Sequence, residues 1–113
     1  MASNRVFTPV PGLCVVRAGG AVIGESYNTI SLKEGSLPEV LYFPREDMGM
    51  AFLEASTKRT HCPWKGDAQY YSIIAKSGAI EDAGWSYEDP LEEAAVIRGH
   101  LAFSHDRVAV ERL

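Results

Sequence analysis

"LCVVRAGGAVIGESY", Leu13 to Tyr27, is the stretch that decides the fold class. Leu13 to Ala18 and Ala21 to Tyr27 are short runs rich in valine and isoleucine, and Gly19-Gly20 between them supplies the positive φ values that type I′ and II′ hairpin turns require. The reading is therefore an antiparallel hairpin. Downstream, Thr29 to Glu34 alternates Ile30 and Leu32 with Thr29, Ser31 and Lys33, which predicts a third strand with one buried face and one wet face. "EGSLPEV" is turn material, and Val40 to Phe43 is a short apolar strand stopped by Pro44.

Two segments read as helix. In Arg45 to Ser56, Met48, Phe52 and Ala55 recur at helical spacing, Glu46 and Asp47 occupy the first turn, and Lys58 and Arg59 lie just beyond the end, although Gly49 weakens the pattern. In "EDPLEEAAVIRG", Asp89 is placed as N-cap, Pro90 at the first helical position, and Gly99 as the stop. Between them, Ala68 to Lys76 reads as a central strand, because Tyr71 and Ile73 on one face oppose Tyr70 and Ile74 on the other. "SGAIED" reads as a loop, "GWSY" as a strand, and "LAFSHDRVAVER" as two strands around His105-Asp106-Arg107. About eight short strands and two short helices give a mainly β fold of two small antiparallel sheets packed over one core.

With 113 residues, 46% hydrophobic and 23% charged, the chain is expected to form a single domain over residues 1–113 of the ordinary globular class. No window holds the 18 or so apolar residues of a membrane helix, and "MASNRVFTPVPG" lacks the pattern of a secretory signal, so the expected location is cytoplasmic, with no membrane partner. Two cysteines, Cys14 and Cys62, allow at most one bridge, and a cytosolic chain keeps both reduced. A net charge of −4 argues against nucleic acid as a partner. Lys58, Arg59 and Lys65 leave one local basic spot that suits a small anion, or an ordinary solvated loop.

Chemistry concentrates in "THCPWKG", Thr60 to Gly66. Structural zinc sites use close cysteine or histidine pairs, and the chain has no C-x2-C or H-x3-H. A metal would need Cys14, Cys62, His61, His100 and His105 to converge from distant strands, so no metal and no cofactor are expected. Cys62 beside His61 and Lys65 is a candidate nucleophile, against the alternative of a small buried hydrophobe. In "YFPRED", Glu46 and Asp47 are adjacent and would point about 100° apart on a helix, which suits a cap or a salt bridge to Arg45 better than a catalytic pair. Trp85 and Tyr87 in "WSYEDP" share a strand face and can stack on a planar or cationic ligand. Nucleotide-binding glycine loops and the serine-hydrolase elbow are missing from the sequence.

Taken in order, "YFPRED", "T-x-CPWKG-x-A-x-YY", "WSYEDPLEEA" and "IRGHLAF" resemble the domain of unknown function 427 family, over about Val15 to Val110. Trp64 stands where that family usually has tyrosine. The resemblance implies a small protein common in bacteria and also found in fungi, with a β-tent-like fold similar to methionine sulfoxide reductase B, the yippee proteins and the ligand-binding domain of cereblon. The zinc of those relatives is not implied, because both C-x2-C pairs are missing. The nucleotidyltransferase label sometimes attached to the family has no catalytic carboxylate pair or glycine-serine loop here to support it. By resemblance, Arg45, Glu46, Asp47, Cys62, Lys65, Gly66, Tyr70, Trp85 and Tyr87 line a cleft between diverging sheets. The functional expectation is a small anionic or carbonyl-containing ligand, walled by Trp85 and Tyr87 and held by Arg45 and Lys65. A non-catalytic interaction module and thiol redox chemistry at Cys62 are the alternatives, and no enzymatic activity follows from fold alone.

Overall fold

A computed structural model describes residues 4–113. Among the described residues, ten strands form three antiparallel sheets. The first sheet has the order β1 (Arg5–Pro9), β4 (Ile30–Glu34), β5 (Val40–Tyr42), and the second the order β10 (Val108–Arg112), β2 (Cys14–Ala18), β3 (Ala21–Ser26). The third has the order β6 (Leu53–Cys62), β7 (Gly66–Ala75), β8 (Gly78–Ser86), β9 (Ala102–Phe103). The mainly β expectation holds, with three sheets in place of two. Among the described residues no helix is long and apolar enough to cross a membrane.

The Leu13–Tyr27 reading is realised as β2 and β3, with Ala18 paired to Ala21 and φ of +57° and +78° at Gly19 and Gly20. Those consecutive positive values match the right-handed twist of the flanking strands. The strand after it is not wet on one face. Ser31 and Thr29 are buried together with Leu32, because β4 is the middle strand of its sheet and the Ser31 hydroxyl donates to Glu39.

Neither expected helix forms as such. Arg45–Asp47 and Met50–Phe52 are single 3₁₀ turns, and β6 begins at Leu53. The backbone between the turns is taken by β3: Met48 bridges Gly24, and Gly49 N–H donates to Ile23 O at 2.7 Å. From Leu53 the chain pairs with β7, so long-range ladders replace the helical bonds that the spacing suggested. The second segment is a kinked 3₁₀ stretch over Glu92–Ile97, preceded by Leu91 with no side-chain cap, so Asp89 does not act as N-cap. "SGAIED" is not a loop either. It is the start of β8, entered by a tight turn that pairs Ala75 with Gly78.

The third sheet is covered on both faces. Tyr71, Ile73, Ile80 and Phe103 pack with Val16, Ile23 and Met48 of the second-sheet side. Ala68, Tyr87, Ile97 and Ala102 pack with Leu32 and Tyr42 of the first sheet. Ile23, Ile73, Ile80, Ile97 and Leu101 are fully buried, and each such side chain contributes about 1.5–3 kcal/mol relative to exposure. Aromatic residues on both faces of β7 are the consequence of this middle position.

Candidate functional site

"THCPWKG" is a hairpin. Cys62 pairs with Gly66, leaving Pro63, Trp64 and Lys65 as the connection between β6 and β7, and Gly66 closes it at φ +109°. The turn is fixed from outside by Leu91 N–H, which donates to Lys65 O at 2.9 Å. Trp64 is thereby held inward, 8% exposed, and its indole Nε1 donates to Glu34 Oε2 at 2.9 Å. Phe7 packs tilted against it with ring centroids 5.9 Å apart.

Lys65 follows its neighbour into the sheet junction. Its side chain is only 13% exposed, and Nζ lies 5.0 Å from the centroid of the Trp64 ring and 5.4 Å from that of Tyr87. Both distances are within the range in which an aromatic face attracts an ammonium. Glu34 Oε1 is 3.8 Å away, an ion pair without a hydrogen bond, and Nζ has no hydrogen-bond partner among the described residues. Glu34 Oε2 is engaged elsewhere, by Trp64 and by Arg5 Nε at 4.0 Å.

A groove of about 620 Å³ opens beside this pair. Its walls come from all three sheets: Leu32 and Val40 of the first, Trp85 and Phe103 of the third, and Val110 of the second. Lys65 and Glu34 line it, as do Glu39 and Arg112, which are joined by a 2.8 Å salt bridge. The volume is in the range of small-molecule sites, as is the mixture of apolar wall and few polar groups.

Behind the wall is a cluster of phenols. Burial pushes the Tyr42 hydroxyl up to about 12, opposed by a hydrogen bond from Trp85 and reinforced by Cys62, Glu34 and Tyr70. Burial likewise raises Tyr87, with Tyr42, Cys62, Tyr70 and Glu34 adding to the effect. Tyr70 accepts a hydrogen bond from Thr60 at 3.2 Å and packs 6.1 Å from Trp85, and Lys58 Nζ lies 4.5 Å over its ring. Cys62 is half-buried against this cluster, while Cys14 is fully buried in the other core, and both thiols are free.

Of the nine residues expected to line a cleft, Lys65 and Trp85 line the groove, Cys62, Tyr70 and Tyr87 pack behind it, and Gly66 closes the hairpin without lining the groove. Arg45, Glu46 and Asp47 do not join them. Arg45 Nη2 bonds Ser86 Oγ at 3.3 Å and Glu88 at 2.8 Å, Nη1 reaches Tyr71 OH at 3.5 Å, and Nε donates to Gly99 O at 3.1 Å. Ser86 and Tyr71 point away from Trp85 and Tyr70, their chain neighbours, so Arg45 serves the opposite face of the third sheet. Tyr71 also donates to Glu88, and its pKa is raised by burial first and by that bond second. Asp47 accepts from Ser26 Oγ at 2.6 Å, and Glu46 is exposed.

The expected basic spot is divided in the same way. Arg59 turns to the carbonyls of Ser56 and Lys58, and Lys65 points into the junction. The histidines also go separate ways, His61 to Asp67, His100 to Arg98 O, and His105 to Asp106. Among the described residues no three histidine, cysteine or acidic side chains are grouped so as to hold a metal. Glu34, Glu39 and Arg112 are the polar lining that sequence reading missed. Glu34 and Glu39 flank a segment that reads only as turn material, and nothing near them in sequence names Lys65 or Arg112 as partners.

The fold and groove together define a class, a small antiparallel β protein with a lysine set among aromatic rings where three sheets meet. The family model described as Domain of unknown function (DUF427) matches residues 7–113, and the chain belongs to that family. No curated protein matches the chain.

Proposed function

We propose that the groove at the sheet junction binds a small ligand through a carboxylate or other carbonyl-type acceptor, with Lys65 as the recognising cation. The observation that carries this reading is the state of Lys65. A side chain only 13% exposed holds an ammonium with three donors, yet its one close carboxylate among the described residues is 3.8 Å away. Aromatic faces stabilise the charge without using those donors. A ligand oxygen in the groove would supply the missing acceptor, and Trp85 would form part of the wall beside it.

Arg45 has no part in this reading, because its guanidinium is already bonded on the far side of the sheet. The test is titration of the chain with a panel of small carboxylates, aldehydes and ketones, followed by tryptophan emission and by calorimetry. Saturable binding by at least one of them is expected, lost in Lys65→Met with the fold intact by far-UV circular dichroism. Equal binding by Lys65→Met, or no binding across the panel, would overturn it.

A further inference from the structure

The groove does not offer a lone cation. Lys65 and Glu34 both line it, and their Nζ and Oε1 atoms lie 3.8 Å apart, too far for a hydrogen bond. Among the described residues neither atom has a hydrogen-bond partner: Nζ meets only the faces of Trp64 and Tyr87, and the Trp64 hydrogen bond falls on Glu34 Oε2 rather than Oε1. Opposite charges a few ångströms apart, both open to one cavity, are complementary to a ligand that itself carries opposite charges a few ångströms apart.

Building on the Lys65 reading above, we propose that the ligand is an apolar α-amino acid bound as its zwitterion. Its carboxylate takes Lys65 Nζ and its ammonium takes Glu34 Oε1, so the four charges alternate around a closed ring. A simple carboxylate fits less well, because its negative charge approaches Lys65 beside the Glu34 carboxylate, whose Oε1 then faces a second anion while Arg5 and Trp64 serve only Oε2. A phosphate fits worse, since its second negative charge meets one ammonium, and the other cation lining the groove among the described residues, Arg112, is paired with Glu39. The side chain of the amino acid lies along Leu32, Trp85, Phe103 and Val110, an apolar wall that rewards aliphatic or aromatic groups. Arg112 at the groove's other polar position is already neutralised by Glu39 at 2.8 Å and leaves that region without a free charge to recruit a second polar group.

Calorimetry on the unaltered chain with L-phenylalanine, L-leucine, 3-phenylpropanoate and phenethylamine tests this. The two amino acids are expected to bind, and each half-ligand to bind at least about tenfold more weakly. Glu34→Gln, which retains an oxygen for the Trp64 indole, should bring L-phenylalanine down to the affinity of 3-phenylpropanoate, whereas Lys65→Met should weaken both. If 3-phenylpropanoate binds the unaltered chain as tightly as L-phenylalanine, the zwitterion inference fails and the carboxylate reading stands. If amino acids, carboxylates and carbonyl compounds all fail to bind, both fall. The comparison of ligands on the unaltered chain decides the matter even where a variant folds poorly.

Discussion

Tyr42 sits where the first and third sheets meet, 1% exposed, and its hydroxyl keeps its proton up to about pH 12 against an ordinary 10.0. Above pH 10 the unfolded chain loses this proton and the folded chain does not. The folded state then binds more protons, and stability falls as pH rises. The contribution is complete below pH 10 and is lost across the window from about 10 to 12. The expected slope is about 1.4 kcal/mol per pH unit for one tyrosine. Tyr87, also raised by burial, steepens it. Urea denaturation between pH 9 and 12 should show this decline, and Tyr42→Phe should flatten it by about one proton. An unchanged slope would mean that Tyr42 ionises equally in both states. At this scale the sequence was readable in part. Lys65 and Trp85 stand out by residue type and neighbourhood, whereas Tyr42 and Glu34 sit in segments with no local sign of their burial or their partners.

Arg45 shows what a single side chain does for an element. The 3₁₀ turn Arg45–Asp47 has no side-chain cap, and its place is set by the bonds that Arg45 sends to Ser86, Glu88, Tyr71 and Gly99. These partners come from β7, the end of β8, the residue pair after it, and the exit of the second 3₁₀ stretch. A planar fork of five donors can reach them together, and an ammonium cannot. Arg45→Lys is therefore expected to destabilise the fold by about 2 kcal/mol by urea denaturation, while leaving ligand affinity in the groove unchanged. A large loss of affinity without loss of stability would move Arg45 into the binding machinery. The helix expected over Arg45 to Ser56 failed for a related reason. Apolar spacing at Met48 and Phe52 is a local signal, but Met48 and Gly49 are bound by β3, a strand that ends well before them in sequence. The Gly19-Gly20 hairpin was legible because both its strands and its turn are contiguous.

Across the molecule, a few side chains fasten sheet to sheet. Trp64 ties the third sheet to Glu34 of the first, and Arg112 of the second reaches Glu39 beside the first. Glu39 is held below its ordinary 4.5 chiefly by the hydrogen bond from Ser31, with Arg112 helping against the cost of burial. A lowered carboxyl pKa gives stability that is complete above about pH 4.5 and lost as pH falls through the folded value. Acid titration of stability should therefore fall more steeply in the native chain than in Glu39→Gln, and equal acid profiles would remove Glu39 from the account. The number of sheets was not legible, because β10 pairs with β2 and β1 with β4 through contacts that no local pattern encodes. That pairing of Val108–Arg112 with Cys14–Ala18 has a further consequence during synthesis. A ribosome releases residues in order, so β2 can fold against β3 early yet must wait with its other edge bare until β10 has left the exit tunnel.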